Sequence, residues 1–160
     1  MNGLGRSLEI LLVEDNAADV RLVLEALKGS QIRNHISIID DGKEALDFLH
    51  RRGRYPNAVR PDLILLDLNL PKVNGWEILA SIKVNLDLKR IPVVVFTGSE
   101  TEEDIEKCYN LHANCYITKP VELKQFTTIV RAIQKFWFTI VKLPKSQATF
   151  PRISKEDRIL

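Results

Sequence analysis

Short, largely apolar runs alternate along the chain with longer stretches in which apolar positions recur at every third or fourth residue. The runs are Glu9 to Val13, Ile36 to Ile39, Leu63 to Leu66, Val93 to Phe96 and Cys115 to Ile117. Apolar residues at successive rather than alternate positions mark strands buried on both faces, and runs this short exclude helices. Between them, Ala17 to Lys28 carries Val20, Val23, Leu24 and Leu27 at helical spacing, and Lys43 to Arg52 carries Ala45, Leu46 and Leu49. Gly75 to Val84 offers Ile78, Leu79 and Ile82, and Thr101 to Leu111 offers Ile105 and Cys108. The last stripe, over Leu123 to Val141, runs through Phe126, Ile129, Val130, Ile133, Phe136, Trp137 and Ile140.

This order predicts a (βα)5 chain and a doubly wound α/β fold. Strands apolar on both sides and joined by helical crossovers form a parallel sheet, and right-handed crossovers cover both of its faces. In such sheets ligands gather outside the carboxyl ends of the strands, where the strand order reverses. Candidate chemistry is therefore sought at strand ends.

Arg51 to Pro61, with Gly53, Tyr55 and Asn57, reads as an extended loop ahead of the third strand rather than a linker. After Pro144 the residues turn to Lys, Ser, Gln, Thr, Pro and Arg, too sparse in apolar content for a core. The expected division is an N-terminal extension over 1–7, one domain over 8–143 and a tail over 144–160, without repeats or low-complexity tracts.

Composition narrows the classes. At 160 residues with 45% hydrophobic content, the chain can bury a core without disulfide or metal staples. The net charge of +2, from 23 basic and 21 acidic residues dispersed along the chain, carries no clustered nucleic-acid signature. No stretch approaches the roughly 18 to 20 apolar residues needed to span a bilayer, and the start lacks a signal-peptide core, so a cytoplasmic location is expected. Cys108 and Cys115 lack metal-site spacing and read as free thiols; His35, His50 and His112 are scattered and read as ordinary histidines.

Glu14 and Asp15 follow the first strand, Asp67 the third, Thr97 the fourth and Lys119 the fifth. Convergent carboxylates repel one another unless a cation lies between them, and hard oxygen donors suit Mg²⁺. Lys119 supplies a mobile point charge and Thr97 a hydroxyl donor, both able to follow a phosphoryl group. Asp67, after the most continuously apolar strand, is placed as a nucleophile toward phosphorus, with Glu14 and Asp15 as metal ligands. Taken singly, each residue also has a plain structural use: Asp15-Asn16 as a helix cap, the others as a solvated rim.

Leu12-Val13-Glu14-Asp15-Asn16, Asp67-Leu68-Asn69-Leu70-Pro71 with Asn74-Gly75, Pro92 to Thr97, and Tyr116-Ile117-Thr118-Lys119-Pro120 together resemble the response-regulator receiver family over Leu8 to about Ile140. The resemblance implies a flavodoxin-like sheet of order 2-1-3-4-5, with Asp67 as phosphoacceptor. It implies Asp15 as a direct Mg²⁺ ligand, Glu14 as a ligand through water and the Asn69 backbone carbonyl as a further ligand, with Mn²⁺ able to substitute. It makes Thr97 and Lys119 the phosphoryl-sensing pair and Thr97 with Tyr116 the conformational switch, and it leads us to expect a cis Lys119–Pro120 bond. Tyr116 taken alone also suits a sheet-edge packing role.

More narrowly, the loop Arg51 to Pro61, Asp87-Leu88-Lys89-Arg90-Ile91-Pro92, Leu111-His112-Ala113-Asn114-Cys115-Tyr116, and Phe136-Trp137 to Leu143-Pro144 are similar to the small regulators paired with cyanobacterial phytochromes. That likeness implies a phytochrome-type sensor histidine kinase as phosphodonor, light as signal and no DNA-binding output. The implied protein is a phosphoacceptor rather than an enzyme of turnover.

Three rival functions share the sheet. A haloacid-dehalogenase-type phosphatase needs a second Asp two residues after the nucleophile, where Asn69 cannot act as acid or base. A flavodoxin-like module cradles a phosphate in its first loop, where Glu14 and Asp15 would repel it. A pseudo-receiver lacks site residues that this chain retains. The apolar stripe through Phe136 and Trp137 outruns the sheet edge it covers, which points to a homodimer through the fifth strand and last helix; its alternative is that both aromatics fold back onto the domain.

Overall fold

The computed structural model describes residues 7–30 and 32–144. The expected tail lies, beyond Pro144, outside the described residues, as does the extension up to Arg6. Strands β1 (Leu8–Val13), β2 (Asn34–Ile39), β3 (Leu63–Leu66), β4 (Val93–Thr97) and β5 (Cys115–Thr118) alternate with helices α1 (Ala17–Leu27), α2 (Gly42–His50), α3 (Gly75–Val84), α4 (Glu102–Asn110) and α5 (Leu123–Lys135). The sheet is parallel in the order β2-β1-β3-β4-β5, with Leu12 beside Leu65 and Leu65 beside Val94.

Successive strand residues point to opposite faces, so each apolar run feeds two cores. Leu11, Val13, Ile64, Leu66, Val93 and Val95 meet Ala45, Leu49, Ile78, Leu79, Ile82 and Cys108 of α2, α3 and α4. Ile10, Leu12, Leu63, Leu65, Val94 and Phe96 meet Val23, Ala26, Leu27, Phe126, Val130 and Ile133 of α1 and α5. The central strands β3 and β4 are buried throughout, while β5, at an edge, is only half-buried.

Four helices start on the same local chemistry. The side chains of Asn16, Asp41, Asn74 and Thr101 each accept a hydrogen bond from the backbone N–H three residues on, satisfying an orphan donor of the first turn. The Asn16 cap places the beginning of α1 directly after Glu14 and Asp15, and the Asn74 cap begins α3 where Gly75 lies against the Asp67 carbonyl. No helix among the described residues is long and apolar enough to cross a membrane.

The C-terminal helix departs from the even stripe read in the sequence. The α-helix gives way to a π-helical turn over Phe136–Ile140, closed by the Val141 N–H donating to the Phe136 carbonyl at 2.9 Å. The extra residue in the turn rotates the succeeding side chains relative to a regular helix. The stripe divides as a result: Trp137 and Phe138 pack in part against the α1–α5 core, while Phe136 and Ile140 stay 48% and 58% exposed. Phe136 keeps a T-shaped contact with Trp137, ring centres 5.5 Å apart.

The Lys119–Pro120 bond, expected to be cis, is trans, as are all peptide bonds among the described residues. An X-Pro bond admits either isomer at small cost. Here Lys119 is directed by the sheet itself, its N–H donating to the Thr97 carbonyl at 2.7 Å.

Gly42 brings the start of α2 against the segment after β3. Its N–H donates to the Pro71 carbonyl at 3.3 Å, and a Cβ at this position would lie 1.8 Å from the Val73 carbonyl oxygen. That obstacle is backbone, which cannot rotate aside. Gly42→Ala should therefore cost about 1–3 kcal/mol of stability through forced displacement, read from the urea unfolding midpoint; an unchanged midpoint would contradict the contact.

Candidate functional site

Backbone ladder bonds run one residue past the strands and fix where the polar side chains begin. The Glu14 N–H donates to the Ile39 carbonyl at 3.0 Å, the Asp67 N–H to the Val13 carbonyl at 3.0 Å and the Lys119 N–H to the Thr97 carbonyl at 2.7 Å. Glu14, Asp67 and Lys119 thus inherit the rigidity of a sheet buried on both faces. Gly75 closes the floor beneath Asp67: a Cβ there would fall 2.5 Å from the Asp67 carbonyl oxygen and 2.6 Å from the Leu68 Cα. Only glycine lets the start of α3 come this close.

Among the described residues, Glu14, Asp15 and Asp67 form a trio whose carboxylate oxygens can all lie within 4.8 Å of one another. Glu14 and Asp67 are 3% and 6% exposed, whereas Asp15 faces solvent. Burial, reinforced by the Asp67 charge, pushes the Glu14 carboxyl up to about 7 despite its bond to Lys119. A set of hard oxygens that repel one another when ionised, open to water on the Asp15 side, fits a hydrated divalent cation such as Mg²⁺ or Mn²⁺. Asn69 is exposed, and its N–H reaches the Asp67 Oδ1 at 3.4 Å.

Lys119 answers this negative charge. Its Nζ donates to Glu14 Oε2 at 2.6 Å, to Asp19 Oδ2 at 2.8 Å and to Asp67 Oδ2 at 3.2 Å. Burial favours the neutral amine, but the bonds to Asp19 and Glu14 and the charge of Asp67 outweigh it and hold the pKa of Lys119 above its ordinary value. The ammonium is therefore charged throughout the physiological range. The other oxygen of Glu14, Oε1, accepts from the Asn16 N–H at 3.3 Å, so one carboxylate ties β1, the cap of α1 and Lys119 together.

Asp19 was not among the residues that the sequence singled out. It stands in the first turn of α1, its own N–H donating to the Asn16 Oδ1 at 3.0 Å. An acid one turn past a capping Asn reads as a dipole-favoured surface residue; only the position of Lys119, a hundred residues on, gives it a partner. The signal that could have exposed it is a third acid on the helix whose first turn already adjoins Glu14 and Asp15.

Thr97 is fully buried and its Oγ1 has no hydrogen-bond partner among the described residues. A buried hydroxyl left unpaired is unusual enough to require a reason. Tyr116 lies on β5, with its hydroxyl donating to the Ser99 carbonyl at 2.8 Å and its N–H to the Tyr109 hydroxyl at 3.2 Å. Ser99 is held in turn by its own hydroxyl donating to Asp104. The loop after Thr97 is thereby joined to Tyr116, so the two residues read as a switch are two residues and one hydrogen bond apart. Phe136 and Trp137 lie at the far end of α5 and take no part in this cluster.

The histidines stay outside it. His35 pairs with Glu9 at 3.0 Å and His50 meets Ser81 at 2.9 Å. Both cysteines are free, and burial pushes the Cys108 thiol up to about 11, which suits an inert core residue.

The chain is similar in sequence and fold to known proteins. The profile of the response regulator receiver domain matches residues 10–131. Response regulator Rcp1 of Synechocystis sp. is 55% identical over 135 residues, covering 84% of this chain and 92% of that protein. The crystal structure of the Mn²⁺-bound form of Rcp1 aligns with a TM-score of 0.84 at 54% identity, over 86% of this chain and 99% of the other. That of the phosphorylated cyanobacterial phytochrome response regulator RcpA aligns with a TM-score of 0.85 at 51% identity, over 88% and 100%. With its carboxylate trio, lysine and buried threonine set on a five-stranded parallel sheet, the chain belongs to the response regulator receiver family, a family of signalling domains rather than conventional enzymes.

Proposed function

We propose that Asp67 is the phosphoacceptor of a two-component switch, and that its carboxylate, together with Glu14, Asp15 and the Asn69 carbonyl, holds the divalent cation that phosphorylation requires. The observation that carries this reading is the unpaired, fully buried hydroxyl of Thr97 at the end of the strand beside Asp67. A donor without an acceptor in that position suits an oxygen that arrives with the phosphoryl group. Mg²⁺, when bound, offsets the combined negative charge of the carboxylates and the phosphoryl oxygens.

The residues then divide the work. An Asp67 carboxylate oxygen attacks the phosphorus of a donor phosphohistidine; the O–P bond forms as the P–N bond breaks and the imidazole leaves. Lys119 turns an N–H from the Asp67 carboxylate to a phosphoryl oxygen, and Thr97 donates to another. Movement of Thr97 draws on Gly98 and Ser99 and so on the carbonyl that Tyr116 holds, which carries the change to the β4–β5 face. The donor is a sensor histidine kinase. The likeness to Rcp1 and to the phytochrome regulator RcpA supports a phytochrome-type kinase.

A second copy of the chain is the proposed partner of the last helix. Phe136 and Ile140, about half exposed at its end, and Leu123, 63% exposed at its start, leave apolar surface that two-fold pairing would cover. Sedimentation at micromolar concentration should find a dimer that Phe136→Ala with Ile140→Ala dissociates, leaving the partly buried Trp137 in place. A wild-type protein that remains monomeric with and without phosphorylation would remove this partner.

Incubation with acetyl phosphate should give the wild type an acid-stable, hydroxylamine-sensitive label, and Asp67→Asn should abolish it while circular dichroism stays unchanged. Chelating Mg²⁺ should slow labelling by roughly two orders of magnitude or more, because Glu14 and Asp15 would then face the phosphoryl charge unscreened. Labelling of Asp67→Asn at the wild-type rate would overturn the assignment of the acceptor, and labelling indifferent to metal would overturn the carboxylate roles.

A further inference from the structure

Lys119 is held by two kinds of carboxylate. Glu14 and Asp67 belong to the trio that converges within 4.8 Å, and Asp19 does not. An ammonium has three N–H donors, and here its contacts at 2.6, 2.8 and 3.2 Å are all to carboxylates. The Lys119 side chain is only 11% exposed, so water contributes little to its solvation. When Glu14 and Asp67 turn their oxygens to a cation, the ammonium loses two of these partners, and a buried charge without a partner is costly. Asp19 remains. It is anchored to α1 rather than to a strand end, through its N–H on the Asn16 cap, and its side chain is 22% exposed.

We propose that Asp19 is a positioning residue that keeps the Lys119 ammonium paired when Glu14 and Asp67 take up the divalent cation, and that it thereby sets the cation affinity of the site. The inference rests on the assignment of the cation to Glu14, Asp15 and Asp67. Without Asp19, Lys119 must draw its counter-charge from Glu14 and Asp67 alone and competes with the cation for the same oxygens. With Asp19, the ammonium has a resting place beside the phosphoryl position that no metal ligand has to vacate. Lys119 is then free to turn its remaining N–H groups to phosphoryl oxygens.

The test is Mg²⁺ binding to the full chain by isothermal titration calorimetry, with no phosphodonor present. Asp19→Asn should weaken binding roughly tenfold, the order seen when a group supporting a metal site from outside is removed, and Asp19→Ser should do the same. Asp19→Glu, which keeps the charge, should recover most of the affinity. In a Lys119→Met background the same Asp19→Asn change should shift the affinity by no more than about twofold, since the ammonium it serves is gone; the difference between the two backgrounds measures the coupling. Equal affinities of the wild type and Asp19→Asn would overturn the proposal. So would an equal loss with and without Lys119, which would mean that Asp19 acts on the cation through its own charge. A wild type that binds no Mg²⁺ would overturn the cation assignment itself.

Discussion

The molecule depends on one concentration of like charge at the end of a dry sheet. Glu14 and Asp67 are carboxylates fixed on neighbouring buried strands, and in isolation they would repel each other in a medium that screens them poorly. Lys119 makes the arrangement tolerable by reaching Glu14 at 2.6 Å and Asp67 at 3.2 Å from the edge strand, with Asp19 as a further acceptor at 2.8 Å. Its single positive charge thus offsets part of the negative charge gathered at the strand ends.

Everything beneath the site serves to keep it from relaxing. The alternation of Leu11, Val13, Ile64 and Leu66 with Ile10, Leu12, Leu63 and Leu65 divides the sheet between two close-packed cores, so no strand can retreat from the charge at its end. Gly75 and Gly42 press the starts of α3 and α2 against the segment after β3, leaving the backbone around Asp67 and Asn69 little room. By contrast, the half-buried β5 and the loop from Gly98 to Thr101 are the lightly packed side of the site. The carboxylates thus stand on the rigid middle of the sheet and face an edge, carrying Tyr116 and Lys119, that is only partly buried.

The strands were legible because a parallel sheet buried on both faces leaves continuous apolar runs, and the structure extends them by only one or two residues, to Leu8, Asn34, Thr97 and Thr118. Glu14, Asp15, Asp67, Thr97 and Lys119 were legible as a group because each lies within two residues of the end of such a run. Asp19 was not, since its partner is a hundred residues distant and its own neighbourhood is an ordinary first helical turn. The π-helical turn at Phe136–Ile140 was hidden for another reason: an even stripe of apolar residues is compatible with α or π winding, and packing of Trp137 and Phe138 on the domain decides between them. The isomer of the Lys119–Pro120 bond was equally beyond local sequence, because the two forms differ by little more than thermal energy.

The claim on which the rest stands is that the phosphoryl group is carried by Asp67. It is tested most directly by reducing the phosphorylated chain with borohydride, which converts an aspartyl phosphate to homoserine, and locating the altered residue by peptide mass spectrometry. The account predicts homoserine at Asp67 and at no other acidic residue of the cluster. Homoserine at Glu14's neighbour Asp15 or at Asp19, with Asp67 intact, would contradict it.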